Sequence, residues 1–191
     1  IDKQKVAYEK AMALAESAEA KTVLIVKGGP GTGKSVISVN LIGGLLQRMK
    51  NVVFVAPNAA FRNVMIEKLA QNSTKKRLRS LFKGSSSFYS MDTNSFDAAI
   101  VDEAHRLKDN RAYQYYGDNQ IYDIINASRT TIFFVDDTQR VRPEDIGSVM
   151  ELNAVAKEFG ARVYEIELEA QFRCSGADGY VNWLEHTLQL Q

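Results

Sequence analysis

Apolar positions along this chain fall into two alternating patterns. Short runs that are nearly all β-branched, aromatic or small, TVLIV (22–26), VVFVA (52–56), AAIV (98–101), TIFFV (131–135) and RVYEIEL (162–168), read as strands. Between them the apolar residues take a helical period: around 3–20, from about Lys34 to Met49, over NAAFRNVMIEKLAQ (58–71) with Asn58 as its cap, through the basic segment 74–83, along NQIYDIINAS (119–128), near 147–159, and from about Asp178 onward. The stretch GSSSFYSMDTNS (84–95) reads as loop. Strands of this kind separated by helices predict an α/β fold, a parallel five-stranded sheet covered by helices on both faces.

Composition narrows this only slightly. A chain of 191 residues has room for one domain with a sizeable core. No apolar run approaches the ~18 residues that would suggest a membrane span, so no membrane contact is expected. The amino-terminal stretch is charged and amphipathic, unlike a signal peptide. The single cysteine, Cys174, excludes an internal disulfide framework and suits a reducing, cytoplasmic setting. A net charge of +1 says nothing about partners, but its distribution says more. Lys68, Lys75, Lys76, Arg77, Arg79 and Lys83 fall in a window from Lys68 to Met91 that holds no acidic residue. That run is either a solvated helix face or a surface that tracks phosphates. The chain starts at Ile1, and 178–191 reads as the start of a connection to a further domain, so a piece of a longer protein is expected.

The chemistry is concentrated at strand ends. GGPGTGKS, Gly28 to Ser35, fits the phosphate-binding pattern G-x-x-x-x-G-K-[ST] at every fixed position, directly after one strand and before a helix. Gly28, Gly29, Gly31 and Gly33 would let backbone N–H groups turn onto phosphate oxygens at the positive end of that helix, in a binding loop that Pro30 and Thr32 complete. Lys34 would reach the β- and γ-phosphates, and Ser35 would offer its hydroxyl to Mg²⁺. In AAIVDEAH, Asp102 stands at the tip of a buried strand, where Mg²⁺ would sit, and Glu103 can polarise a water for attack on the γ-phosphate. ATP and Mg²⁺ are therefore the expected cofactors, and a carboxylate base argues for hydrolysis. His105 either couples this site to its neighbours or is a bland surface residue.

DEAH after a strand, then FFVDDTQRV, then LEAQFRCSG resemble successive motifs of superfamily-one helicases. The resemblance implies that Gln139, in Asp136-x-x-Gln139, senses the γ-phosphate and that Arg173 points a guanidinium at it. Val135 stands where that family usually has glycine. More narrowly, DKQKVAYEKA, VKGGPGTGKSVISVNL, NAAFRNVM, FDAAIVDEAHRL, NQIYDIINAS, DDTQRVRPEDIGS and QFRCSGADGYVNWL together resemble a bacterial ATPase family akin to the Schlafen-group DNA/RNA helicase domain. This implies a single RecA-like P-loop NTPase domain over 1–191, with Gln4 reading the adenine edge and a second RecA-like domain beyond. It also implies a single-stranded DNA or RNA partner. In PNAAFR (57–62), Asn58 and Arg62 would then hold phosphates and Phe61 would stack on a base, or the three would be a cap, a core residue and a surface cation. The alternative function is a nucleotide-dependent switch or signalling ATPase acting on a protein partner.

Overall fold

The computed structural model describes residues 2–17, 19–69, 74–139 and 142–169. Among these, β1 (Thr22–Lys27), β2 (Val52–Val55), β3 (Phe82–Lys83), β4 (Phe96–Val101), β5 (Ser128–Val135) and β6 (Arg162–Glu167) form one sheet in the order β3-β2-β4-β5-β1-β6. Every pairing is parallel, with Ile25 opposite Phe133 and Ile100 opposite Ile132 in register.

The strands separate two cores by simple alternation. Leu24, Val26, Val52, Phe54, Ala98, Ile100, Ile132 and Phe134 face one way and meet α1 (Asp2–Ser17), α2 (Lys34–Gln47), α3 (Ala59–Leu69) and α4 (Lys75–Leu81). Val23, Ile25, Val53, Val55, Ala99, Val101, Phe133 and Val135 face the other way, onto α5 (Gln120–Ala127) and α6 (Val149–Glu158). Burial on both faces is why these strands read as nearly continuous apolar runs rather than as apolar–polar alternation. Local chemistry sets several boundaries. Asn58 Oδ1 accepts the Ala60 N–H at 3.0 Å, Asn119 Oδ1 accepts the Ile121 N–H at 2.8 Å, and Ser148 Oγ accepts the Glu151 N–H at 3.1 Å, each capping a helix start.

The sheet has six strands where five are predicted. The extra one, β3, is two residues long and closes the edge beside β2. It ends the basic segment 74–83, whose helix stops at Leu81. Phe82 then turns into the core and packs edge-on against Phe54 at 5.6 Å between ring centres. A strand this short carries no period, so only its tertiary partner reveals it. Helix α1 likewise ends at Ser17 rather than near 20. The predicted final helix lies outside the described residues.

A candidate nucleotide site at the carboxyl ends of β1, β4 and β5

Parallel strands deliver their carboxyl ends to one edge of the sheet, and β4, β5 and β1 are consecutive neighbours there. The phosphate loop leaves β1, and its Gly28 N–H is held by the Val135 carbonyl of β5 at 3.1 Å. Gly31 and Gly33 adopt the left-handed region, at φ 76° and 84°. Gly33 is the residue before α2, so the loop's backbone turns directly into that helix's amino terminus. A Cβ at Gly28 would stand 2.6 Å from Thr32 Oγ1, and one at Gly33 would run into the Gln4 side chain. Side chains are therefore excluded at Gly28 and Gly33. Thr32 is buried and its hydroxyl donates to the Gly29 carbonyl at 2.9 Å.

Lys34 curls back over this loop and donates to the Gly28 and Gly29 carbonyls at 2.5 and 2.7 Å. Burial pushes its pKa down, against the attraction of Asp136, Asp102 and Glu103. Ser35 Oγ donates to Asp102 Oδ2 at 3.0 Å, so the hydroxyl and carboxylate expected to share a cation lie in contact. Asp102 is buried, and desolvation raises its pKa despite the hydrogen bonds from Ser35 and the Glu103 N–H. Hard oxygen donors beside a phosphate cradle fit Mg²⁺, which is held through few protein ligands and the phosphates themselves. The described residues contain no cluster of three or more His, Cys, Asp or Glu able to hold a metal.

Glu103 follows Asp102 in the left-handed region, φ 50° and ψ 43°, and opens the 3-10 turn Ala104–Arg106. Its carboxylate lies 3.6 Å from Arg106 Nε. His105 is buried rather than on the surface, and its Nδ1 accepts the Asp136 N–H at 3.3 Å, tying the tip of β4 to the tip of β5. Burial lowers the His105 pKa, and because Nδ1 accepts the Asp136 N–H, the ring's proton belongs on Nε2. Asp136 in turn accepts from the Thr138 N–H and hydroxyl at 3.0 and 2.6 Å, shaping the 3-10 turn Asp137–Gln139.

Gly28 to Ser35, Asp102, Glu103 and Gln4 thus gather on one edge, with Gln4 Nε2 donating to the Thr32 carbonyl at 2.8 Å. Gln139 stands on the turn after β5, in the wall of an adjoining cavity of ≈ 420 Å³. Pro57, Asn58, Arg106, Lys108 and Arg142 line it too. Arg173 lies outside the described residues. PNAAFR engages the protein itself. Asn58 caps α3, Phe61 packs on the core beside Phe54, and the half-buried Arg62 donates to the Ala56 carbonyl and sits against Gly84. Arg106, Lys108 and Arg142 carry no motif of their own in the sequence. Their only signal is position, within a few residues after a strand that carries a recognised motif.

Among the described residues, no helix is long and apolar enough to cross a membrane. No curated protein matches the chain in sequence. Among solved structures, the helicase domain of Hef from Pyrococcus furiosus is similar in fold, with a TM-score of 0.51 at 12% identity over 86% of this chain and 37% of that one. A DNA replication initiation factor aligns at 0.48 with 19% identity, covering 88% of this chain and 47% of its own. AMPPCP-bound DnaA from Aquifex aeolicus aligns at 0.46 with 18% identity, covering 86% and 47%. The chain therefore spans less than half the length of each of these proteins. A family model, Schlafen group 3, DNA/RNA helicase domain, matches residues 21–191. With the parallel sheet and the phosphate loop at its edge, that match places this chain in the Schlafen group 3 DNA/RNA helicase domain family, a P-loop NTPase of RecA-like fold.

Proposed function

We propose that this domain binds ATP with Mg²⁺ and hydrolyses it, as the first RecA-like motor domain of a superfamily-one-type helicase acting on single-stranded DNA or RNA. The observation that carries this reading is the meeting of Ser35 and Asp102 at 3.0 Å beneath a glycine cradle, with Glu103 as the next residue. In this reading the Gly28–Gly33 backbone and Lys34 hold the phosphates, and Lys34 exchanges its present carbonyl partners for phosphate oxygens. Ser35 and Asp102 hold the cation. When bound, Mg²⁺ neutralises charge on the β- and γ-phosphate oxygens. Glu103 accepts the proton of the attacking water. Its side chain is partly exposed and pairs with Arg106 at 3.6 Å, which leaves it able to turn toward that water. Gln139 and Arg173 respond to the γ-phosphate, and Gln4, seated against the loop, reads the adenine edge.

The polynucleotide would track past the ≈ 420 Å³ cavity beside Gln139, where Arg106, Lys108 and Arg142 stand. These cations are balanced by Glu103 and Glu144, so the strand contact is one of exchange rather than of an open positive surface. A second RecA-like domain, joined through 178–191, would close over the nucleotide.

The test is calorimetric titration of Mg²⁺-ATP into the protein, followed by single-turnover hydrolysis. Glu103→Gln should retain affinity and lose hydrolysis, because the amide is nearly isosteric but takes no proton. Hydrolysis at the parent rate in that variant would remove Glu103 from its role.

A further inference from the structure

The loop after β5 does more than carry Gln139. Residues 142–148 cross the 3-10 turn following Glu103 and lie on its backbone. Ile146 N–H donates to the Leu107 carbonyl at 2.8 Å, and Lys108 pairs with Asp145 as an isolated antiparallel bridge. Lys108 Nζ reaches Glu144 at 3.3 Å. Gly147 is buried and approaches so closely that a Cβ there would overlap the Ala104 carbonyl oxygen and stand 2.6 Å from its carbon and 2.9 Å from His105 Cα. The tip of β5 is fixed to the same turn and to the start of α6. Asp136 N–H donates to His105, and Asp137 Oδ1 accepts the Val149 N–H at 3.1 Å.

The turn 104–108 is therefore gripped from both sides of Gln139 in sequence, by Asp136 through His105 and by residues 145–147. At 145–147 the grip is backbone on backbone, and only glycine at 147 permits it. The turn it holds is the one that sets Glu103, whose own carbonyl accepts the Arg106 N–H at 2.9 Å and whose backbone is left-handed without being glycine. A non-glycine residue keeps that conformation when its surroundings over-determine it.

We propose that Gly147 is a positioning residue for hydrolysis. Through the segment 142–148 it locks the 3-10 turn so that the Glu103 carboxylate is aimed, and it makes any displacement of the Gln139 turn a displacement of Glu103. This rests on the reading of Glu103 as the base. It adds that the γ-phosphate response of Gln139 reaches the base through main-chain contact.

Gly147→Ala must push the segment off the turn. Misplacing a reacting group by about 1 Å costs on the order of 10²-fold in rate. Single-turnover hydrolysis in the protein should accordingly fall by about 100-fold, with Mg²⁺-ADP affinity unchanged within about threefold, the margin set for a site that the substitution does not touch. In a Glu103→Gln background the same substitution should produce no further loss, because both changes act through one group. A merely structural role would instead lower nucleotide affinity, or lower the residual rate in both backgrounds alike.

Should Gly147→Ala fail to fold, a single glycine inserted between Pro143 and Glu144 slackens the segment without a clash, at a turn where Pro143 is exposed. It should slow hydrolysis about tenfold or more with affinity retained, the lower part of the range for misplaced groups. Parent-rate hydrolysis in the folded Gly147→Ala protein, or in the insertion variant, overturns the positioning role if Glu103→Gln is inactive. If Glu103→Gln is itself active, the base assignment fails and the positioning role falls with it.

Discussion

Replacing Asp102 with asparagine should stabilise the protein and weaken its magnesium-dependent nucleotide binding, because a buried metal-binding carboxylate sets these demands against each other. Asp102 is 6% exposed and receives hydrogen bonds from Ser35 Oγ and the Glu103 N–H, each at 3.0 Å. Desolvation outweighs them and raises its pKa, with the Glu103 charge adding to the rise and Lys34 opposing it. Asparagine can keep its oxygen toward the Glu103 N–H and turn its amide toward Ser35 Oγ, so both hydrogen bonds survive while the buried charge is removed. Relieving a cost of this kind is worth ~0.5–2 kcal/mol. At ~2–4 °C per kcal/mol for a chain of this size, Tm should rise by ~1–8 °C at neutral pH.

The sign with pH follows from the raised value. The folded carboxyl keeps its proton where the unfolded one has lost it, so its favourable contribution is present below ~3.9 and is lost as pH rises through the folded value. The stability gap between variant and parent should therefore open from acid toward neutral pH. Scanning calorimetry across pH 4 to 7.5, paired with Mg²⁺-ADP titration with and without chelator, measures both effects. The magnesium-dependent part of the affinity should fall by ~10–100-fold. A lower Tm at neutral pH would refute the buried-charge argument, and undiminished magnesium dependence would refute the metal assignment.

Lys34→Ala should abolish Mg²⁺-ATP binding, and unchanged calorimetric affinity would sink the phosphate-loop assignment. It should also loosen the loop without nucleotide, since Lys34 bonds the Gly28 and Gly29 carbonyls, and faster amide exchange there would register this. His105→Asn should flatten the fall in Tm below pH ~6.5, because a ring whose pKa burial lowers binds its proton less readily folded than unfolded. Stability held above that pH is then lost as pH falls through the folded value, by at most ~1.4 kcal/mol per pH unit. An identical profile in the variant would assign the slope elsewhere.

The features legible in the sequence are those written locally. The phosphate loop needs glycines at fixed spacing between a strand and a helix, and Asp102 needs only an apolar run ending in an acid. Both strand and helix patterns survive because the sheet is buried on two faces. Features made by distant partners left little trace. β3 exists because Phe82 finds Phe54, across a separation no periodicity spans. Arg62 and Phe61 look available for a strand in the sequence, yet one is drawn to the Ala56 carbonyl and the other to the core. Gly147 reads as an ordinary loop glycine, and only the approach of Ala104 gives it meaning. Lys21 is similar, a lone cation in sequence that closes the end of α5 by donating to the Ile125, Asn126 and Ser128 carbonyls.

The most direct test of the motor reading is the steady-state rate of ATP hydrolysis by the full-length protein with and without single-stranded DNA or RNA homopolymer, with Glu103→Gln as the blank. Charge stabilisation supplied across a phosphoryl-transfer site is worth ~10³–10⁵ in rate, so a strand that closes a second domain onto this one should raise turnover by orders of magnitude. Turnover that depends on Glu103 but is indifferent to every polynucleotide would contradict the motor and leave a nucleotide switch in its place.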